Sequence, residues 1–275
     1  MHNVFNPKRS VMNDTQSEQK RPSMTKLVKA GFLSAAIATT GLLSACGGDT
    51  KMPVVAQPEA PTTAVYEVSL VNVTAGQPLS PLLAIVHNDG FQVFKVGDAA
   101  SVALENIAEG GNVAPLTALV NDSKSVITSA AGPAAPLLPG AGNSVKVNLT
   151  VPLTSLSTAR LSFAVMLGNT NDGFTGLNAE AISDLAVNAS RTIDLIGYDA
   201  GTELNTESAD TVPGPATANS GGKREGFNPQ RDDVISVIHV HPGIVSKDDG
   251  LPTSALTQAQ RWDNPVARVT IKRIQ

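Results

Sequence analysis

Apolar residues recur at every second position over several stretches of the chain, the period of a strand with one buried face. Tyr66-Glu67-Val68-Ser69-Leu70-Val71-Asn72-Val73 alternates in this way and then breaks at Ala75-Gly76-Gln77-Pro78. Val145 to Val151 alternates cleanly and Pro152 ends it. Arg160 to Leu167 is more continuously apolar, as in a strand buried on both faces. Thr192 to Ile196, Val234 to His241 and Val266 to Ile274 are rich in β-branched residues and predict further strands. In the last of these, Ala267, Val269, Ile271 and Arg273 share the face expected to meet the core. Val266, Arg268, Thr270, Lys272 and Ile274 share the other. One helix is predicted over Ala99–Glu109, where Val102, Leu104 and Ile107 are apolar and Gly110-Gly111 is a stop. Thr211 to Gly226 is polar and rich in Gly, Pro, Ala and Asn, and is expected to be a mobile loop. Six or more strands with little helix predict an all-β sandwich or barrel.

The N-terminal region has a different pattern. Ala30 to Leu43 is an uninterrupted run of apolar and small residues preceded by Lys26 and Lys29. It has the length of an export signal and is too short for a spanning helix, which needs about 20 apolar residues. It ends in Leu43-Ser44-Ala45-Cys46-Gly47, which resembles the lipobox of bacterial lipoproteins and contains the chain's one cysteine. That resemblance implies cleavage before Cys46 and attachment of lipid to its sulfur. A membrane anchor at Cys46 in the bacterial cell envelope follows, with Gly47 resembling the pattern of outer-membrane sorting. Met1 to Ser23 is polar, so Met24 is an alternative start. The expected organisation is an extension and signal over 1–45, a flexible tether over 46–63, and one β domain over 64–275.

Composition narrows the function. The 275 residues are 41% hydrophobic and 16% charged, enough to bury a core, and 23 Gly with 18 Pro imply many turns. The net charge is −4, and removal of residues 1–45 leaves 14 basic and 22 acidic residues, a net of −8. Nucleic acid is excluded as a partner, because binding it requires a basic face. One cysteine permits no internal disulfide. No Gly-x-Ser-x-Gly elbow and no phosphate-binding Gly-Lys-Ser/Thr loop is present. His239 and His241 are two apart in a predicted strand and so share a face. With His87 they would make three imidazoles around an open position, the donor set of a hydrolytic Zn²⁺, although strand alternation alone also produces such pairs. The adjacent pairs Asp232-Asp233 and Asp248-Asp249 are expected to be solvated loop charges, and Trp262 a packing anchor.

Several pieces, in order, resemble the spondin N-terminal domain, the family of F-spondin and mindin. They are the strand Tyr66-Glu67-Val68-Ser69-Leu70-Val71-Asn72-Val73-Thr74, then Pro78-Leu79-Ser80-Pro81 and His87. Gly97-Asp98-Ala99-Ala100-Ser101 follows and leads into Ile107-Ala108-Glu109-Gly110-Gly111. Next are Leu161 to Leu167 with Asn171-Asp172-Gly173-Phe174, then Tyr198-Asp199-Ala200-Gly201-Thr202-Glu203, and the closing strand Ala267 to Ile274. The resemblance covers about residues 64 to 275. It implies an antiparallel β-sandwich similar to calcium-dependent lipid-binding domains, with one short helix. It also implies a Ca²⁺ site on loop carboxylates at one end of the sandwich. Carried over residue by residue, those ligands are Asp172, Asp199 and Glu203. The glutamate replaces the second aspartate of an Asp-Ala-Gly-Thr-Asp segment, and Phe174 stands where the animal domains have Trp. Their cysteines are absent here, and the polar stretch before Val234 has no animal counterpart.

The residues are consistent with that chemistry. Ca²⁺ takes six to eight hard oxygen ligands. Asp199 and Glu203 flank Gly201, which lets the backbone curl and aim both carboxylates at one point. Asn171-Asp172-Gly173 is a turn sequence expected to present Asp172 at a loop tip. A loop-built extracellular site of this kind binds in the ~0.1–1 mM range. Two functional classes are therefore open. The first is a non-catalytic, lipid-anchored Ca²⁺-binding module that engages a protein, glycan or lipid ligand at the cell envelope. The second is a Zn²⁺-dependent envelope enzyme using His87, His239 and His241. A structural lipoprotein without metal is a third reading.

Overall fold

A computed structural model of the chain describes residues 59–140 and 142–275. The signal segment, Cys46 and most of the tether lie outside the described residues.

Among the described residues, ten strands form two antiparallel sheets. The first sheet has the order β4-β1-β10-β7, from β1 (Thr63–Asn72), β4 (Ser144–Pro152), β7 (Ser190–Leu195) and β10 (Ala267–Arg273). The second has the order β3-β2-β5-β6-β8-β9. Its strands are β2 (Leu83–His87), β3 (Val126–Ala131), β5 (Arg160–Met166), β6 (Gly173–Ala181), β8 (Tyr198–Asp199) and β9 (His239–Val240). This is the expected β-sandwich. The alternating faces of β1, β4 and β10 bury Tyr66, Val68, Leu70, Leu149, Val151, Val269 and Ile271 against Ala84, Val86, Leu161, Phe163 and Val165 of the opposing sheet. Tyr66 keeps its hydroxyl satisfied in this core by donating to the Ile182 carbonyl at 2.9 Å. Ala267, Val269 and Ile271 are buried as expected, while Arg273 at the strand end is half-buried.

The continuous apolar run of β5 is explained by a third layer. The outer face of the six-stranded sheet carries Leu83, Ile85, Ala164 and Phe174, and two helices cover it. α1 (Val102–Gly110) packs Ala103, Leu104, Ile107 and Ala108 there. Ser101 caps it, accepting the Leu104 N–H at 3.2 Å, and Gly111 ends it in the left-handed region at φ 66°. α2 (Ala114–Asp122), which the pattern analysis did not anticipate, starts with a proline in its first turn and buries Leu116 and Val120.

Two expectations are corrected. The β-branched stretch Val234–His241 forms a strand at His239–Val240 alone. Before that point the backbone bonds irregularly, with Asp232 N–H donating to Thr202 O and Ile238 N–H to Asp98 O, and Val234 is 86% exposed. Thr211–Gly226 is packed in its first half and exposed over most of its second. Val212 and Thr217 are fully buried, the Thr217 hydroxyl reaches Val212 O at 2.7 Å, and the Arg224 guanidinium bonds Gly214 O at 3.1 Å.

Candidate cation site

The turn between β5 and β6 is closed by Thr170, whose hydroxyl lies 2.6 Å from Leu167 O and accepts the Gly173 N–H at 2.9 Å. This places Asp172 just ahead of β6. Instead of standing at an exposed tip, Asp172 is fully buried, because the segment after β8 folds over it. Its Oδ2 accepts from Thr202 N–H at 2.8 Å, Thr202 Oγ1 at 3.1 Å and Glu203 N–H at 3.1 Å. Gly201 makes that fold possible at φ 69°. Three donors crowd one oxygen, while Oδ1 has no hydrogen-bond partner within the protein.

Asp199 and Glu203 arrive on the same segment. Asp199 is fully buried, with Oδ1 accepting Gly201 N–H at 2.8 Å and Oδ2 accepting Asn205 Nδ2 at 2.7 Å. Glu203 is 7% exposed and its Oε2 has no partner. Burial, and then the charges of Glu109, Asp172 and Asp232, push its carboxyl up to about 9. Asp172 is raised to about 7, by burial first and by Asp199 second, against the hydrogen bonds from Thr202 and Glu203. The charge of Asp199 acts on Asp172, and the charge of Asp172 acts on Glu203.

Two buried glutamates escaped the sequence analysis. Glu109 lies in the last turn of α1 and is 1% exposed. Its Oε2 accepts the Asn228 N–H at 2.7 Å, its Oε1 has no partner, and burial raises it to about 7. Glu207 is also 1% exposed and its backbone is left-handed at φ 52°. Its Oε1 accepts the Val245 N–H at 2.9 Å while Oε2 is unpartnered, and burial and the Asp199 charge raise its pKa. The helix-stop signal at Gly110-Gly111 placed Glu109 at a helix end; nothing local in the sequence marked either residue as part of a site.

The buried, unpartnered side-chain atoms of the described residues all fall on the segments that meet here: Glu109 Oε1, Asp172 Oδ1, Glu203 Oε2, Asn205 Oδ1, Glu207 Oε2, Asp233 Oδ2 and His241 Nε2. Asp232, expected to be merely solvated, accepts the Leu204 N–H at 2.9 Å, and Asp233 has a buried oxygen. Among the described residues, no three His, Cys, Asp or Glu side chains already converge as a metal cage. The carboxylates surround a common region without closing on one point.

The three histidines are not brought together. His87 ends β2, four strand spacings, or roughly 19 Å, across the sheet from β9. Both its nitrogens are engaged at 2.7 Å, Nδ1 with Asn88 O and Nε2 with Ser162 Oγ. His241 Nδ1 accepts the Gly243 N–H at 2.9 Å, which leaves the neutral ring's proton on Nε2. Burial lowers its pKa to about 4. His239 is held at Nδ1 by Val237 O at 2.9 Å and turns Nε2 toward Asp199 Oδ2 at 3.9 Å. Trp262 packs edge-on to His241, with ring centroids 5.1 Å apart, and against the main core, as an anchor would.

The Spondin_N family model matches residues 73–218, more than half of the chain, a stretch that contains Glu109, Asp172, Asp199, Glu203 and Glu207. A search of curated proteins finds no match.

Proposed function

We propose, from the premise that this chain belongs to the Spondin_N family, that it is a non-catalytic extracellular module whose ligand-binding or adhesive end is organised by Ca²⁺. The observation that carries the cation is the gathering of buried carboxylate oxygens without partners around Asp172 and Glu203. A buried carboxylate with an open lone pair is costly in the charged form unless a proton or a cation neutralises it. The raised values at Asp172 and Glu203 express that cost. The donors on offer are hard oxygens from carboxylates and the Asn205 amide, which suits Ca²⁺ better than a soft or nitrogen-seeking metal.

Asp172 and Glu203 would each supply an oxygen that no protein group uses. Asp199 would hold the Gly201 turn through Oδ1 and contribute its charge, each of its oxygens keeping a lone pair free. Bound Ca²⁺ would neutralise this end of the sandwich and set the loops 199–207 and 228–241 for a protein, glycan or lipid ligand. Among the described residues no helix is long and apolar enough to cross a membrane. Attachment to the envelope is assigned to lipid at Cys46, and a Cys46→Ser variant that lost its membrane fraction would support it. The Zn²⁺ reading has less support, because its third imidazole lies across the sheet.

Calorimetric titration of chelator-treated protein tests the proposal. Saturable Ca²⁺ binding that disappears in Asp172→Asn is the expected result. Absence of Ca²⁺ binding by the unaltered protein, or a Zn²⁺ response alone, would overturn it.

A further inference from the structure

The geometry points to Glu109 as a further ligand of the same cation, so that the ion ties the C-terminal end of α1 to the loop after β8. This inference rests on the Ca²⁺ reading above. Glu109 stands in one of the segments that carry the family resemblance, but it is not among the ligands carried over from it.

Glu109 sits where a carboxylate is poorly placed for stability. The C-terminal end of a helix carries partial negative charge, and α1 has no basic residue in its last turn. Arg231, whose charge acts on Glu109, is already committed. Arg231 holds buried Glu105 through two hydrogen bonds, Nε to Oε1 at 3.0 Å and Nη2 to Oε2 at 2.6 Å, and also donates to Ala100 O at 2.8 Å. Glu109 is 1% exposed, so water cannot replace the missing counter-charge freely.

Its two oxygens are used unequally. Oε2 is pinned by the Asn228 N–H at 2.7 Å, which fixes the carboxyl group, and Oε1 is left without a partner. The charged group acting most strongly on Glu203 is Glu109, and the unpartnered oxygen of Glu203 is likewise buried. Thr202, which donates to Asp172 at 3.1 Å, also lies within reach of Glu109. Two carboxylates coupled in charge, each with a buried unpartnered oxygen, offer part of a hard-cation shell. Asp172 supplies the next oxygen.

The test is Ca²⁺ calorimetry combined with amide hydrogen exchange on the full chain, comparing the unaltered protein with Glu109→Gln, Glu109→Asp and Asp172→Asn. Glu109→Gln is expected to weaken Ca²⁺ binding by roughly 10–100-fold, the range that supporting residues of a metal site already cost. Glu109→Asp, which keeps the charge, should recover part of the loss. In the unaltered protein Ca²⁺ should slow exchange over residues 106–112 and 225–231, and in Glu109→Gln it should not. Affinity within twofold of the unaltered protein in Glu109→Gln, alongside loss in Asp172→Asn, would overturn this inference and leave the Ca²⁺ reading standing. Failure of the unaltered protein to bind Ca²⁺ would overturn both.

Discussion

Gly201→Ala is the sharpest perturbation of the segment that carries the site, and its cost can be worked from the structure with an internal control. Gly201 lies at φ 69°, and a Cβ there would come within 2.4 Å of Ile235 O, 2.6 Å of Val237 O and 2.7 Å of Val237 N. All three are backbone atoms, so no flexible side chain can swing away. Gly97 has a similar conformation, φ 89°, but a Cβ there would meet nothing within 4 Å. Both substitutions incur the left-handed penalty for a non-glycine residue, about 1–2 kcal/mol. Gly201→Ala adds a collision of the overpacking kind, about 1–3 kcal/mol. The totals are about 2–5 kcal/mol for Gly201→Ala and about 1–2 for Gly97→Ala. At about 2–4 °C per kcal/mol for a domain of this size, Tm should fall by roughly 4–20 °C in the first and roughly 2–8 °C in the second. Differential scanning calorimetry without added metal reads both. The collision falls next to Thr202 and Glu203, whose N–H groups hold Asp172, so Ca²⁺ affinity should also fall in Gly201→Ala and hold in Gly97→Ala. Equal Tm losses in the two variants would refute the crowding argument, and unchanged Ca²⁺ affinity in Gly201→Ala would separate this turn from the site.

Two further outcomes follow from the buried charges. Glu109, Asp172 and Glu203 titrate at about 7, about 7 and about 9 in the fold, against ordinary carboxyl values near 4. The folded state therefore keeps protons that the unfolded chain releases, and the stability tied to them is full below about pH 4 and is lost as pH rises through 7 and 9. His241, lowered to about 4 from 6.5, works the other way, losing stability as pH falls from 6.5 toward 4, and so offsets one carboxyl in that window. Metal-free protein should melt lower at pH 8 than at pH 5.5, and Ca²⁺ should raise Tm most at pH 8; a metal-free Tm that climbs over this range would contradict the assignment. Arg231→Ala should destabilise toward the low end of the about 3–5 kcal/mol expected for stranding a buried partner, since Glu105 is 3% exposed at its side chain while Arg231 is 31% exposed. Chemical denaturation measures it, and a loss under about 1 kcal/mol would show that Glu105 finds another donor.

What the sequence disclosed and what it concealed divide along a physical line. β1, β4 and β10 were legible because each has one face in the core and one outside, so alternation is written into the residues themselves. β5 was legible as a strand buried on both faces, though the helices that cover its outer side were only half anticipated. β6, with Gly173 and Gly176 and a polar second half, has no pattern of its own; its strand is imposed by pairing to β5 and β8. The reverse holds for Val234–Val237, whose β-branched residues suit a strand but find no strand partner, because the segment is drawn over Gly201 and Thr202.

The site follows the same division. Asp172, Asp199 and Glu203 could be named because turn chemistry and the family pattern mark them locally. Glu109 and Glu207 could not, since their meaning arises from what packs against them: a helix end folded under Asn228, and a left-handed residue buried beneath Val245. Each is a poor choice by the rules that stabilise helices, loops and cores. An acid stands at the negative end of a helix, a branchless carboxylate chain sits in a conformation that favours glycine, and both keep a buried oxygen without a donor. Local preference and global structure agree in β1, β4, β5 and β10 and disagree at these two buried acids. A chain selected for stability alone would have no reason to keep those conflicts together, which is the pattern expected where a fold is held to a binding task.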